Sequence, residues 1–424
     1  MLIASLALLV AALLGAPLFA VIGASALLGF YSAGIDLSVV AIEIYRLAEM
    51  PVLLAIPLFT FAGYVLSESG APHRLVRLTQ ALLGWLPGGL AMVALVACAL
   101  FTAFTGASGV TIVALGALLF PALMQTGYRE RFSLGLITTS GSLGVLFAPS
   151  LPLILYGVVA QQLGTGEPFT IDDLFLAGLL PGILMIALLS AWSYWQGRRL
   201  PLPDRSLLEA KEAVIEARWE LPLPFIVLGG IYSGYFAVSE AAAVTALYVL
   251  VVEFLVYRDI PLKRLPHIIR QSMILVGAVL VILGVSLAST NYLIDAEVPT
   301  RLFETIKAHI SSPLTFLLLL NVFLLVLGMM LDIFSALMIM VPLLLPVAVG
   351  YGIDPVHLGV IFLANMQIGY FTPPVGMNLF IASYRFEKSI LTLYRATLPF
   401  FVILLLAVLI ITYWPALSLT LPGR

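Results

Sequence analysis

The protein is a chain of 424 residues, of which 62% are hydrophobic and 10% are charged, with 20 Lys and Arg against 22 Asp and Glu. Soluble domains carry roughly 25% charged residues, so this composition excludes an ordinary soluble protein and indicates a polytopic membrane protein. The near-neutral charge provides no basic surface for nucleic acid, and the single Cys98 excludes an intrachain disulfide.

The first apolar windows of the chain show how it enters the membrane. The N-terminus lacks a basic region, which favours a first membrane segment over a cleaved signal peptide, and the side on which the chain begins stays open. No Asp, Glu, Lys or Arg lies between Arg77 and Arg129, a window too long for one span of about 20 residues. Its middle, FTGASGV, favours a turn, and basic residues at both ends place both in the cytoplasm. We predict a re-entrant hairpin at about 88–123, with two full spans as the alternative.

The next segments complete a first repeat. A broken membrane helix is expected at about 132–162, followed by the acidic exterior loop QLGTGEPFTIDD and a span that returns to Arg198 and Arg199. Residues 200–220 are polar and predict a cytoplasmic amphipathic linker with a helix at 207–219. The linker divides the chain into repeats at 1–199 and 221–424. We expect Arg74 to anchor the first arm helix to lipid headgroups, and Glu253 to be interfacial.

The second half resembles the first after a shift of about 225 residues. Gly144 then aligns with Gly369 and Pro149 with Pro374. A second hairpin is predicted at about 313–350 and a second broken helix at about 356–384. Basic residues place the second arm outside, so the repeats are expected to be inverted, as in many secondary transporters. The predicted fold class is therefore an all-α polytopic membrane protein with two inverted repeats, each holding an arm helix, a re-entrant hairpin and a broken transmembrane helix.

The stretch GYFTPPVGMN, residues 369–378, explains why a membrane helix would break. Pro373 and Pro374 leave carbonyl groups of the preceding turn without intrahelical partners. An unsatisfied carbonyl in hydrocarbon costs several kcal/mol, so such a backbone must face protein, water or an ion. Carbonyl oxygens and the Thr372 hydroxyl suit a sodium ion, and half-helix N-termini suit an anionic substrate. The alternative is a proline kink whose carbonyls are satisfied by neighbouring helices.

Five blocks carry a resemblance to a known family. In chain order they are FTGASGVTIVALGALLFPAL, SGSLGVLFAPSLPLILYGVV, VSEAAAVTALYVLVVEFLVYRDI, LGMMLDIFSALMIMVPLLLPV and IGYFTPPVGMNLFIAS. Together they resemble the large membrane (M) subunit, DctM-like, of tripartite ATP-independent periplasmic (TRAP) transporters. The resemblance implies an elevator-type sodium symporter of the bacterial or archaeal cytoplasmic membrane. It also implies three partners besides the lipid bilayer: a small four-helix membrane subunit, a periplasmic substrate-binding protein, and an organic acid as substrate.

The resemblance also implies two sodium sites, with Na+ as the coupling ion and no other cofactor. The first would comprise Thr105, Ser108, Gly144, Phe147 and Pro149. The second would comprise Gly328, Gly369, Thr372 and Val375. Further contacts to the ion or substrate are expected from Gly106, Asp332, Pro373, Pro374 and Asn378. The first tip has one hydroxyl fewer than the family pattern, and Ala148 stands where the family usually has a proline.

Asp332 is the carboxylate placed deepest in an apolar window, which makes it a functional candidate. It could cap the following half-helix, ligate sodium or carry a proton. The four histidines have no metal-ligand spacing, so no transition-metal site is expected. No GxxxxGK[ST], HExxH or GxSxG motif occurs, so we predict a transporter subunit and not an enzyme.

Two other functions remain open from the residues alone. One is a stand-alone sodium-coupled or proton-coupled organic-anion carrier of similar architecture. The other is a passive channel component, in which the broken helices line a pore. Sodium-driven, saturable uptake would distinguish the carriers from the pore, and dependence on a binding protein would distinguish the tripartite system from the stand-alone carrier.

Overall fold

The computed structural model describes residues 2–200 and 207–424 as a bundle of helices joined by turns, with no strand in these ranges. Eight of the described helices are long and apolar enough to cross a membrane. The prediction of an all-α polytopic membrane protein is therefore confirmed. The predicted linker falls partly on residues 201–206, which lie outside the described residues; within its remainder, a helix begins at Leu207 and ends at Glu216.

The helices are numbered here in chain order. Those of the first half are α1 Leu2–Leu13, α2 Leu18–Ser32, α3 Ser38–Ala48, α4 Ala55–Glu68, α5 Ala71–Leu83, α6 Gly89–Thr105, α7 Ser108–Gln125, α8 Glu130–Ser140, α9 Leu151–Leu163, α10 Ile171–Gly197 and α11 Leu207–Glu216. Those of the second half are α12 Pro222–Tyr232, α13 Val238–Val251, α14 Leu265–Asp295, α15 Val298–His309, α16 Pro313–Met330, α17 Ile333–Gly350, α18 Pro355–Gly369, α19 Met377–Phe386, α20 Ile390–Tyr413 and α21 Ala416–Leu419.

The same order of elements occurs in both halves. Each has a short arm helix (α5, α15), two helices joined by a tight tip (α6 and α7, α16 and α17), a helix interrupted near its middle, and a long final helix (α10, α20). Helix α7 begins at Ser108 and α17 at Ile333, and α8 begins at Glu130 and α18 at Pro355, so both pairs are separated by 225 positions. The inverted orientation of the halves stays a prediction.

The two interruptions fall at the proline motifs. Helix α8 is followed by a short 3-10 turn at Leu143–Leu146. The segment formed by α8 and this turn makes an angle of 41° with α9. Helix α18 ends at Gly369, and α19 starts only at Met377. Proline cannot donate a backbone hydrogen bond and its ring clashes with the preceding turn, so neither helix continues through its motif. Both motifs contain a cis peptide bond, Ala148-Pro149 and Pro373-Pro374.

The remaining long helices form a second layer beside the hairpins. Helix α14 packs along α2, α3 and α4, and α13 packs on α4, while the hairpins and broken helices pack mainly on one another and on α10 and α20. Helices α4 and α14 also contact the hairpin helices α6 and α17. The hairpin tips therefore lie against a wall formed by α4 and α14.

The first arm is held by buried charges and not by headgroups. Arg74 on α5 is only 7% exposed. It donates to Glu220, to Glu253 at 3.0 Å and to Asp259 at 2.6 Å. The expectation that Arg74 reaches lipid headgroups is therefore wrong. Glu253 is fully buried in the protein, and its interfacial depth in the membrane stays a prediction. Burial of a guanidinium is tolerated here because three carboxylates surround it.

Candidate functional site

The tip of the first hairpin is a two-residue turn between α6 and α7. Gly106 adopts φ +66°, a left-handed conformation that favours glycine, and Ala107 is extended. Thr105, the last residue of α6, is 1% exposed, and its Oγ1 has no hydrogen-bond partner among the described residues. The Ser108 Oγ donates to Asn378 Oδ1 at 2.8 Å. The tip thus presents one unpaired buried hydroxyl and one hydroxyl whose hydrogen is already used.

The first break packs directly against this hairpin. A Cβ on Gly144 would lie 2.3 Å from the carbonyl oxygen of Ala99 on α6, so only glycine fits at this contact. The Gly144 carbonyl accepts the Phe147 N–H at 3.1 Å, and the Phe147 carbonyl accepts the Ser150 N–H at 3.0 Å. Each carbonyl oxygen retains a second lone pair that could bind a cation. The Phe147 ring instead packs on Gly182 of α10, so only its backbone can contribute to an ion site.

The first tip and the first break therefore lie together. A Cβ on Gly106 would contact the Cβ of Leu151, the first residue of α9. Ser150, adjacent to Pro149 and to this contact, is fully buried, and its Oγ lacks a partner in the described structure. A buried hydroxyl without a partner costs about 1–3 kcal/mol, which a bound cation would offset. Ser150 was not identified from the sequence, because a serine beside a proline also suits an ordinary turn.

The second break contacts the second hairpin in the same way. Gly369 lies against the backbone of Gly328 on α16, and the Gly376 N–H donates to the Met329 carbonyl at 3.1 Å. The Thr372 Oγ1 donates to the Ile368 carbonyl at 2.7 Å, which leaves its lone pairs available. Val375 is 43% exposed, and Pro373 and Pro374 are also exposed. Gly369, Thr372 and Val375 thus lie along one loop that is open on one side and packs against Gly328.

Asp332 caps the helix that follows the second tip. Its Oδ1 accepts the N–H groups of Phe334 at 3.0 Å and Ser335 at 2.9 Å. Its Oδ2 accepts the Ser335 hydroxyl at 2.5 Å. This is N-cap geometry, which was one of the three roles considered from the sequence. The remaining N–H at this terminus, that of Ile333, donates to the Tyr370 hydroxyl at 2.7 Å.

The two tips meet at a central cavity of about 380 Å³. The first hairpin contributes residues 106–110, the second contributes residues 332–335, and the second break contributes Tyr370 and Met377. Its other wall is α14, with Tyr64 from α4. Asp332 is the one charged side chain among the described residues that line the cavity. Tyr370 is a lining residue that sequence reasoning missed, because an aromatic residue in an apolar helix usually indicates core packing.

A second cavity of about 490 Å³ adjoins the first. The two share Tyr64, Gly109, Val110 and Ile381, and the second extends to Glu68, His267 and Gln271. Glu68 pairs with Arg264 at 3.6 Å. Arg264 belongs to the loop before α14, and the basic residues Arg258, Lys263, Arg264 and Arg270 predict that this loop is cytoplasmic. The central cavity therefore continues towards the predicted cytoplasmic side.

Comparison with known families places these features in context. The family model described as tripartite ATP-independent periplasmic transporter, DctM component, matches residues 2–417. The C4-dicarboxylate TRAP transporter large permease protein DctM of Pseudomonas aeruginosa is 36% identical over 90% of this chain and 89% of its own length. The isethionate TRAP transporter permease protein DctMQ of Oleidesulfovibrio alaskensis is 34% identical over 96% of this chain. This chain spans 64% of the length of that second relative.

Solved structures show a similar fold at low identity. The YdaH transporter of Alcanivorax borkumensis, described as having an unusual topology, superposes with a TM-score of 0.63 at 15% identity, covering 90% of this chain and 88% of its own. At this identity the likeness concerns the fold alone.

Proposed function

The chain belongs to the DctM family of tripartite ATP-independent periplasmic transporters, and from this membership we propose that it is the sodium-coupled permease subunit for uptake of a carboxylate-containing solute. The family is one of transporter permeases, so no enzymatic role is proposed. The solute would cross the cytoplasmic membrane of a bacterium by an elevator-type movement of the hairpins and broken helices against the α4 and α14 wall.

The observation that carries this proposal is the central cavity. It lies where the two hairpin tips, the second break and the α4 and α14 wall meet, and it holds a solute-sized volume of about 380 Å³. Transporters built from repeats bind substrate between discontinuous helices near the middle of the membrane. A passive pore would need no such assembly of half-helix ends around one cavity.

Sodium coupling is supported by the unpaired oxygens beside the cavity. Thr105 Oγ1 and Ser150 Oγ lack partners in the described structure, and both belong to the first tip or the first break. Thr372 Oγ1 has already donated its hydrogen. Hydroxyl and carbonyl oxygens are hard ligands suited to a hard cation. The fit supports the assignment of Thr105, Ser108, Gly144, Phe147 and Pro149 to one site, and of Gly328, Gly369, Thr372 and Val375 to the other.

An anionic solute is supported by the first tip. Helix α7 has no side-chain cap in the described structure, and its first residues, 108–110, line the cavity. Unpaired N–H groups and the helix dipole make such an end attractive to a carboxylate. The relatives named for C4-dicarboxylates and for isethionate both refer to organic anions. Further contacts to the ion or to the solute would come from Gly106, Asp332, Pro373 and Pro374, and Asn378 would act through its hydrogen bond with Ser108.

Family membership supports two protein partners. A small membrane subunit would pack beside this chain, and a periplasmic binding protein would deliver the solute to its exterior face. A stand-alone carrier would need neither of them.

The test is uptake into proteoliposomes that contain this chain and its small subunit. A panel of organic acids is supplied with and without the binding protein, under an imposed sodium gradient or a matched potassium gradient. Uptake that needs both sodium and the binding protein is the expected result. Equal uptake without the binding protein would favour the stand-alone carrier, and flux indifferent to sodium would overturn the coupling.

A further inference from the structure

One side chain of the second broken helix reaches the tip of the first hairpin. Asn378 is the second residue of α19 and is fully buried. Its Oδ1 accepts the Ser108 hydroxyl at 2.8 Å, and its Nδ2 donates to the Thr138 carbonyl on α8 at 3.3 Å. Ser108 and Asn378 are 270 residues apart in the chain. The amide of Asn378 is therefore satisfied by two elements of the opposite half.

The hydrogen bond from Ser108 fixes the direction of its hydroxyl. A serine hydroxyl has one hydrogen and two lone pairs, and here the hydrogen points to Asn378. The lone pairs are then free to face a cation. Partners that orient a metal ligand in this way are as much a part of the site as the ligand itself. Asn378 thus holds a predicted ligand of the first sodium site in its binding orientation.

The backbone of Asn378 belongs to the loop of the second site. Its N–H donates to the Tyr370 carbonyl at 2.9 Å, which closes the loop that contains Thr372 and Val375. Gly376, two residues earlier, donates to Met329 at the end of α16. The loop and the start of α19 are therefore one connected unit. An ion that orders this loop also fixes the position of Asn378.

These contacts connect the two predicted sites through one residue. We propose that Asn378 is a positioning residue that couples them, so that sodium bound at either site increases sodium affinity at the other. The proposal rests on the sodium-coupled function proposed above. Coupling between sites is reciprocal, and typical coupling is about 5-fold to 150-fold in affinity.

The test is an equilibrium titration in which sodium-22 bound to the purified chain with its small subunit is measured, and the thermal unfolding temperature of each variant is recorded separately. Ionic strength is held constant with potassium, so that only specific binding contributes. For the unaltered protein we expect a Hill coefficient of about 1.4–1.8, which corresponds to that range of coupling and lies below the limit set by the number of sites. Asn378→Ala should reduce it to about 1 and weaken half-saturation roughly tenfold.

A matched control separates coupling from lost stability. Asn321→Ala removes another buried amide, whose Oδ1 accepts a hydrogen bond from Asn365 at 2.6 Å and whose hydrogen bonds in the described structure do not involve the first tip. It should lower the unfolding temperature without changing the Hill coefficient. If Asn378→Ala does not fold, Asn378→Ser serves instead, because its side chain is too short to bridge Ser108 and Thr138.

The outcomes are distinct. If neither Asn378→Ala nor Asn321→Ala changes the Hill coefficient, the coupling through Asn378 is overturned. A Hill coefficient of about 1 in the unaltered protein would also overturn it. In both cases sodium-driven transport would stand. The lack of saturable sodium binding in the unaltered protein would overturn sodium binding itself, and the coupling with it.

Discussion

Gly369 and Gly328 meet backbone to backbone: a Cβ atom on Gly369 would lie 2.5 Å from both the Cα and the carbonyl carbon of Gly328. The same atom on Gly328 would lie 3.1 Å from the Cα of Gly369. The contact brings the second break against the second hairpin, and it has no room for a methyl group on the Gly369 side.

Substitution of these glycines should therefore have unequal effects. Gly369→Ala forces backbone apart and should cost about 1–3 kcal/mol, with loss of transport, whereas Gly328→Ala should be milder. Gly277→Ala is the matched control, because a Cβ there has nothing within 4 Å. Measuring the unfolding temperature and the uptake rate of the three variants checks that Gly369→Ala has the largest effect. Equal effects of Gly369→Ala and Gly277→Ala would contradict the close contact.

The Thr372 hydroxyl is expected to bind sodium. Thr372→Val keeps the shape of the side chain and removes the oxygen, so the apparent sodium affinity of uptake should fall about tenfold. Thr245→Val is the control, since the Thr245 Oγ1 is also buried and donates to the carbonyl four residues earlier, at 2.6 Å, but on α13. An unaltered sodium dependence in Thr372→Val would remove this residue from the site.

The buried cluster around Arg74 should dominate the stability of the first arm. Arg74→Ala leaves Glu220, Glu253 and Asp259 facing one another, and loss of one partner from such a cluster costs about 3–5 kcal/mol. Glu253→Gln should restore part of the stability in the double variant. Arg264→Ala breaks an exposed pair with Glu68 and should cost less than about 1 kcal/mol. Thermal unfolding of the purified variants measures the stability that each one loses. Equal losses of stability for Arg74→Ala and Arg264→Ala would contradict the buried cluster.

The central cavity should be reached from the cytoplasmic side. Cys98 is 1% exposed, so the unaltered protein should resist an impermeant thiol reagent. A cysteine at Ala278, which lines the cavity, should react in inside-out vesicles and stay protected in right-side-out vesicles. Glu304→Cys lies on the exposed face of α15, the arm predicted to be outside, so it should react in right-side-out vesicles and stay protected in inside-out vesicles. Reaction of Ala278→Cys from the exterior alone would contradict the continuity of the two cavities.

The sequence predicted the membrane class, the all-α fold and the family, because the composition and the proline motifs can be recognised in short stretches of neighbouring residues. Contacts between distant segments were not accessible in the same way. Arg74 beside an apolar window is compatible with a headgroup, and only folding brings it to Glu253, 179 residues away. The bond from Ser108 to Asn378 was missed for the same reason. The sodium ligands remain predictions, supported by the orphan hydroxyls of Thr105 and Ser150.

The two breaks differ in how much protein covers them. Pro149 and Ser150 are buried, whereas Pro373, Pro374 and Val375 lie at the surface. An ion at the second loop would leave across the exposed side of that loop, whereas an ion at the first site would leave through the central cavity, which Ser108 lines. Residence times at the two sites should therefore be unequal. The slower exchange at the buried break would then set an upper limit on how fast the whole cycle can run.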